Sequence, residues 1–167
     1  MRTIAGRGLL IIYLTVLSWL VLFKLKYNIT SVFQYNHRSL NLVPFAAPSI
    51  LNGTINYSEM IDNCLFFIPF GLLLYVNFKK NGFLPKLALV LVFSLSYEII
   101  QYIFAIGASD ITDVITNTAG GFIGLMIYQV SNKYIPAKKL DMVIIGAGSI
   151  LLVLFISIYA SHFVRRS

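Results

Sequence analysis

The chain has 167 residues, of which 58% are hydrophobic and 11% are charged, with a formal net charge of +7. A soluble domain usually has about a quarter charged residues, so this composition excludes an ordinary soluble domain and predicts a protein embedded in lipid. The single cysteine excludes an intramolecular disulfide and argues against a thiolate-bound metal, and the basic residues form short clusters instead of the continuous stripe typical of nucleic-acid binding.

Five apolar segments come near the length of about 20 residues that a helix needs to cross a bilayer. They are residues 4–23, 61–78, 87–106, 111–130 and 142–160. We therefore predict an all-α, multi-pass membrane helix bundle of about five transmembrane helices, formed as a single domain over residues 1–167. The only long connection, residues 24–60, contains Pro44, Pro48 and Asn52-Gly53, which are turn signals, and is predicted to be an outer loop.

The basic residues predict the orientation, because lysine and arginine are enriched in cytoplasmic loops. Eight fall on one side, namely Arg2, Arg7, Lys79, Lys80, Lys86, Lys133, Lys138 and Lys139. Five fall on the other side, namely Lys24, Lys26, Arg38, Arg165 and Arg166. We therefore predict a cytoplasmic N-terminus and an external C-terminus.

Most of the six acidic residues fall on the side opposite to the larger group of basic residues. Asp141 alone falls on the predicted cytoplasmic side. The other five are Glu59, Asp62, Glu98, Asp110 and Asp113, and all of them are predicted to lie towards the outer face. An ionisable group at membrane depth is costly unless it is paired or solvated, so by default it marks a functional site.

Polar and small residues form one stripe on each of the third and fourth predicted helices. The first stripe is Ser94, Glu98, Gln101 and Ala105, and the second is Asp113, Asn117, Gly120 and Gly124. Intervals of four, three and four residues place each stripe on one helix face. Because the link between these helices is short, we expect them to be antiparallel neighbours, with Glu98 and Gln101 near Asn117 and with Asn63 of the second helix completing the cluster.

Several of these residues also have structural interpretations. Asp110 and Asp113 have the spacing of a helix-capping pair. Gly120 and Gly124 form a small-xxx-small motif, which we interpret as a packing seam and which also allows a homodimer. Glu98 lies in mid-helix, where capping does not explain it, but a structural hydrogen bond to Gln101, Asn117 or a loop backbone would.

Four motifs, taken in order, resemble the VanZ family. They are Asn41-Leu-Val-Pro-Phe45, Asp62-Asn63 with Phe67-Ile-Pro-Phe-Gly71, Tyr97-Glu-Ile-Ile-Gln101, and Asp110-Ile-Thr-Asp113 running into Asn117-Thr-Ala-Gly120. The resemblance covers nearly the whole chain. One departure is that many family members carry an arginine just before the first aspartate of the Asp-x-x-Asp motif, whereas this stretch of the chain reads Ile106-Gly-Ala-Ser-Asp110. The resemblance implies a bacterial plasma-membrane protein that raises resistance to the lipoglycopeptide teicoplanin without remaking the cell-wall precursor.

Three hypotheses of function follow. In the first, the chain binds or shields at the outer face, and its ligand is either the acylated antibiotic or a lipid-linked wall precursor. The predicted ligand-binding residues are Asn41, Pro44, Phe45, Asn63, Glu98, Gln101, Asp110, Asp113 and Asn117. In the second, the chain is a membrane enzyme acting on a lipid-linked envelope component, with Glu98 and Asp113 as general acid and base. In the third, it carries a lipid or a drug. No cofactor and no metal are expected in any of them, because His37 and His162 stand alone.

Overall fold

The computed structural model describes residues 2–23, 39–45, 49–51, 54–106 and 108–164. The described helices are α1 (Arg2–Phe23), α2 (Ser58–Asn77), α3 (Phe83–Phe104), α4 (Ile111–Tyr134) and α5 (Ala137–Val164). The described strands are β1 (Ser39–Asn41), β2 (Ser49–Leu51), β3 (Thr54–Asn56) and β4 (Ala108–Asp110). The predicted bundle of five helices is confirmed. Its orientation in the membrane stays a prediction.

Four of the helices in the described part of the chain, α1, α2, α3 and α5, are long and apolar enough to cross a membrane. Helix α4 has 24 residues, which at about 1.5 Å each is also sufficient length to cross. It is less apolar because it carries the second predicted stripe, including Asp113 and Asn117. The helix that hydropathy identifies least well therefore carries two of the polar candidates, Asp113 and Asn117.

The helix boundaries differ from the predicted ones mainly at the polar ends. Helix α2 begins at Ser58 and α3 begins at Phe83, three and four residues before the predicted starts. Proline is tolerated in a first turn, so Pro85 lies inside α3. Helix α3 ends at Phe104, because Ala105 adopts a left-handed conformation with φ of 52°. Side chains around a helix end decide such boundaries, whereas apolar length does not.

Helices α2 and α4 run parallel and touch through their backbones. A Cβ atom at Gly120 would lie 2.0 Å from the carbonyl oxygen of Cys64, and one at Gly124 would lie 2.1 Å from that of Ile68. On α2, a Cβ at Gly71 would lie 2.3 Å from a carbonyl oxygen of α4. No side chain fits at these positions, so the interpretation of Gly120 and Gly124 as a packing seam is confirmed. A homodimer through these glycines stays a prediction, and it would require α2 to separate from α4.

The lysine-rich end of the bundle is held by polar contacts between different helices. Lys79, just after α2, forms an ion pair with Asp141 on α5. The Tyr128 hydroxyl on α4 donates to the other carboxylate oxygen of Asp141 at 2.7 Å. Lys86 is buried, donates to the carbonyl oxygen of Asn81, and lies 3.8 Å from the centre of the Tyr75 ring. The opposite end of the bundle carries Asp110 and Glu98.

Candidate functional site

A short parallel pairing of two strands builds the acidic end of the bundle. Strand β1 belongs to the predicted outer loop, whereas β4 forms the link between α3 and α4. The register places Ser39 opposite Ala108 and Asn41 opposite Asp110. This pairing holds the segment Asn41–Phe45 against the start of α4. The sequence analysis did not predict either strand.

Asp110 connects this segment to α4. Its Oδ1 accepts a hydrogen bond of 2.7 Å from the backbone N–H of Thr112, which makes Asp110 the N-cap of α4 and confirms the capping interpretation for this residue. Its Oδ2 accepts a bond of 3.0 Å from Nδ2 of Asn41. The Thr112 hydroxyl in turn accepts the backbone N–H of Phe45 at 3.0 Å. Predicted site residues of the outer loop and of α4 are thus in direct contact.

Glu98 also contacts this link. Its Oε2 accepts a hydrogen bond of 2.8 Å from the backbone N–H of Asp110 and one of 3.1 Å from the Ser109 hydroxyl. Glu98 is buried, with 6% of its surface exposed. Of the three structural partners considered for Glu98, the structure shows the loop backbone. Ser109 contributes one of the two donors.

A second polar layer lies further along the two stripes. Asn117 is fully buried and donates through Nδ2 to the Ser94 hydroxyl at 3.0 Å, so the stripes of α3 and α4 face each other as predicted. Gln101 is also fully buried, but its Nε2 donates to the carbonyl oxygen of Val21 on α1 at 3.0 Å. We expected Gln101 to lie near Asn117. The amide nitrogen of Gln101 instead bonds to α1.

Three buried amide side chains in this layer each have an atom with no hydrogen-bond partner among the described residues. These atoms are Nδ2 of Asn63, Oε1 of Gln101 and Oδ1 of Asn117. They come from three different helices. A buried polar atom without a partner costs about 1–3 kcal/mol, and an ordered water or a polar ligand group would remove that cost. Asp113 is also buried, one helical turn from Asn117 on the same face of α4.

A cavity of about 240 Å³ lies beside the acidic end, between β1, α3 and the start of α4. Its walls are mostly apolar and include Leu40, Leu42, Leu95 and Tyr102. Its polar lining comes from Glu98, Ser109 and Asp110. Such a cavity suits an amphiphile, because it offers apolar contact and a carboxylate in the same place.

The predicted site residues fall into three groups. Asn41, Glu98 and Asp110 are joined by the network at the acidic end, and Asn63, Gln101, Asp113 and Asn117 lie buried in the bundle. Pro44 and Phe45 are exposed on the segment that follows β1. Ser94, Ser109 and Thr112 complete the two polar layers but were absent from the predicted set, although Ser94 lay on the predicted stripe. A role in ligand binding stays a prediction for all of them.

Within the described residues, no three His, Cys, Asp or Glu side chains lie close enough together to hold a metal ion. The side chains that the two polar layers bring together are amides, hydroxyls and carboxylates.

Comparison with known proteins agrees with the motifs. The sequence model of the VanZ/LLP1 family matches residues 10–132. The chain is 64% identical over 162 residues to "Protein VanZ" of Enterococcus faecium, which covers 97% of this chain and 96% of the relative. No solved structure matches. Because the family model covers most of the chain and the relative is similar over nearly its whole length, this chain belongs to the VanZ family.

Proposed function

We propose that this chain lies in a bacterial plasma membrane with its acidic end outside, and raises resistance to the lipoglycopeptide teicoplanin. It does so by binding or shielding at the outer face, without altering the wall precursor. Family membership supports a role in glycopeptide resistance. The cavity of about 240 Å³ between β1, α3 and α4 is the observation that carries the binding mechanism.

The composition of this cavity suits a ligand with both a lipid chain and charged groups. The lining residues Leu95 and Ile99 of α3 are exposed, so the cavity opens towards the lipid. Glu98 and Asp110 line it as well. An acyl chain would lie along the apolar wall, while an amino group of the ligand would face the carboxylates, where a charge-assisted hydrogen bond is stronger than a neutral one.

An enzyme with Glu98 and Asp113 as acid and base has less support. Glu98 Oε2 already accepts two hydrogen bonds from the α3–α4 link, through Asp110 and Ser109. A carboxylate held in this way orders the chain around it. The contacts of Glu98 therefore favour binding over proton transfer.

The first experiment fills the cavity. Leu95 lines it, whereas Leu91, one helical turn away on α3, does not, and both are 39% exposed. We expect Leu95→Trp to lower the inhibitory concentration of teicoplanin and Leu91→Trp to leave it unchanged, at matched amounts of protein in the membrane. A glycopeptide without an acyl chain should show no difference between the two variants. Equal protection against teicoplanin by both variants would contradict the proposed site.

The second experiment tests charge and chemistry together. Glu98→Gln should weaken protection against teicoplanin, because an amino group of the ligand loses one of the carboxylates that line the cavity. Asp113→Asn changes a carboxylate outside that lining and tests the acid–base alternative. Masses of lipid-linked wall precursors are recorded in the same cells. Unchanged precursor masses support binding, whereas a mass shift that both variants abolish would establish an enzyme instead.

A further inference from the structure

The lysine-rich end of the bundle contains a second, larger cavity that the proposed function does not use. It has a volume of about 530 Å³ and lies where the start of α1, the end of α2 and the start of α5 meet. Gly6 and Arg7 line it from α1, Asn77 and Lys80 from α2 and the turn after it, and Asp141 from α5. The Asn77 amide donates to the carbonyl oxygen of Gly6 at 3.1 Å, which holds α1 and α2 together at the cavity wall.

The charges of this cavity do not cancel. Asp141 is its only acidic lining residue, and it is already paired with Lys79 and bonded to Tyr128. Arg7 and Lys80 form no ion pair with any residue in the described part of the chain. Two exposed cations are therefore left to face the cavity, and this arrangement favours an anion with several acceptor oxygens, such as a phosphate.

A separate apolar groove lies between α5 and the pair α1–α2. It has a volume of about 610 Å³, and its lining begins at Leu9 on α1 and Leu73 on α2, two and three residues from the nearest lining residues of the basic cavity on those helices, Arg7 and Val76. Its polar group, the Tyr13 hydroxyl, is occupied, because it donates to the carbonyl oxygen of Phe66 at 2.6 Å. The groove therefore presents apolar surface to its occupant.

The length of the groove corresponds to one leaflet. Its lining on α1 extends from Leu9 to Leu20, and this span of eleven residues corresponds to roughly 16 Å of helix. The hydrocarbon core of a bilayer is about 30 Å thick, so the groove covers about half of it. A phosphate-binding end and an apolar channel of one-leaflet length are the two parts of a phospholipid site.

We propose that one anionic phospholipid binds between α5 and the pair α1–α2, with its phosphate beside Arg7 and Lys80 and an acyl chain in the groove. With the predicted orientation, this lipid belongs to the cytoplasmic leaflet. It would fill the space that the loose packing of α5 leaves open. The site is separate from the acidic end, so it does not depend on the proposed function.

The charge test uses the purified full chain in a neutral detergent, with lipid binding measured by native mass spectrometry. Phosphatidylglycerol should bind more tightly than phosphatidylcholine of the same chain length. Replacing both cations (R7Q with K80Q) should lower the affinity for phosphatidylglycerol about 30-fold, the amount expected from two cations near an anionic headgroup. The affinity for phosphatidylcholine should fall much less, because its choline cation offsets the charge of its phosphate.

The matched control removes two other cations from the same end of the molecule. Lys138 and Lys139 are exposed on the first turn of α5 and do not line the cavity. The variant K138Q with K139Q should keep the preference for phosphatidylglycerol. Equal losses in the two double variants would overturn the proposal, because diffuse surface charge would then explain the preference. Complete competition by inorganic phosphate would overturn it as well, because the site would then bind a free anion.

The groove test adds bulk on α5. Gly148 lines the groove and faces Leu9, whereas a Cβ atom added at Gly146, two residues earlier, would meet open space. Gly148→Leu should weaken the binding of both lipids and leave their ratio unchanged, while Gly146→Leu should change neither. Identical lipid binding by the two variants would contradict an acyl chain in the groove. The unfolding midpoint measured without lipid separates lost binding from lost folding.

Discussion

Helices α4 and α5 are neighbours along the chain but are packed in opposite ways. Nine residues of α4 are buried, and they include Asp113, Asn117 and three glycines. Among the described side chains of α5, only Leu140 and Leu152 are buried. Yet α5 is the more apolar of the two and qualifies as a membrane span, which α4 does not.

The difference shows what builds the interior of this bundle. Lipid tails are as apolar as a leucine side chain, so apolar surface does not drive helices together in a membrane. Close backbone approach and hydrogen bonds between helices do. In this chain, small and polar residues therefore mark the interior, whereas a uniformly apolar helix marks exposure to lipid. Four predictions test this contrast, beginning with the largest expected effect.

Adding a side chain at a helix glycine should be tolerated on α5 but not at the seam between α2 and α4. Gly124→Leu would direct a side chain into the Ile68 carbonyl of α2, and we expect a loss of about 3 kcal/mol or more in the free energy of unfolding. Gly146→Leu makes the same chemical change in open space and should cause no loss. Thermal unfolding of both variants in detergent measures the difference, and similar midpoints would refute the seam.

The start of α4 should depend on the capping oxygen of Asp110. We expect Asp110→Ala to cost about 1 kcal/mol, because it removes the acceptor for Thr112 N–H together with the partner of Asn41. Asp110→Asn keeps an amide oxygen that can cap, so most of the stability should be retained. Both variants lose the second carboxylate oxygen that accepts from Asn41, so hydrogen exchange over the first turn of α4 should rise in the alanine variant alone. Equal exchange in both variants would disprove this role of the cap.

The contact between Asn117 and Ser94 should contribute a smaller amount. In a double-mutant cycle with Asn117→Ala and Ser94→Ala, we expect a coupling of about 0.6 kcal/mol, as is usual for hydrogen bonds between membrane helices. Ser96 lies on the same helix but bonds to its own backbone at Val92, so a cycle with Ser96→Ala should show no coupling. Coupling of equal size in both cycles would mean that the contact has no specific role.

The smallest effect is expected on the outer face of α5. Val153 is 62% exposed, and Val153→Ala should change the free energy of unfolding by less than about 0.5 kcal/mol. The same unfolding measurement tests this expectation. A loss well above that value would show that another protein surface covers this face of α5 in the membrane.

Much of the helical architecture could be predicted from the sequence. Apolar length indicated all five helices, and the spacing of Gly120 and Gly124 indicated the seam, because both signals are local. The partner of the seam was not predictable. Only the folded chain shows that these glycines contact Cys64 and Ile68 of α2, since no local pattern links residues so far apart.

The part of the candidate site that depends on local sequence patterns was also predictable. Helix periodicity placed Ser94 and Asn117 on facing stripes, and Glu98 was identified by its depth in the membrane. The β1–β4 pairing was missed, because each strand has only three residues and Asn41 lies 69 positions from its partner Asp110. The contacts of Glu98 depend on that link, so the sequence left its partner open among three choices.

The pairing of β1 with β4 also bears on the order in which the protein is made. A chain is synthesised from its N-terminus, so Asn41 leaves the ribosome well before Asp110. Strand β1 then has no ladder partner until α3 and the link after it have been inserted. The surface around Asn41 and Phe45 is therefore completed late in biosynthesis, and a nascent chain stopped before Asp110 would carry this loop without its anchor.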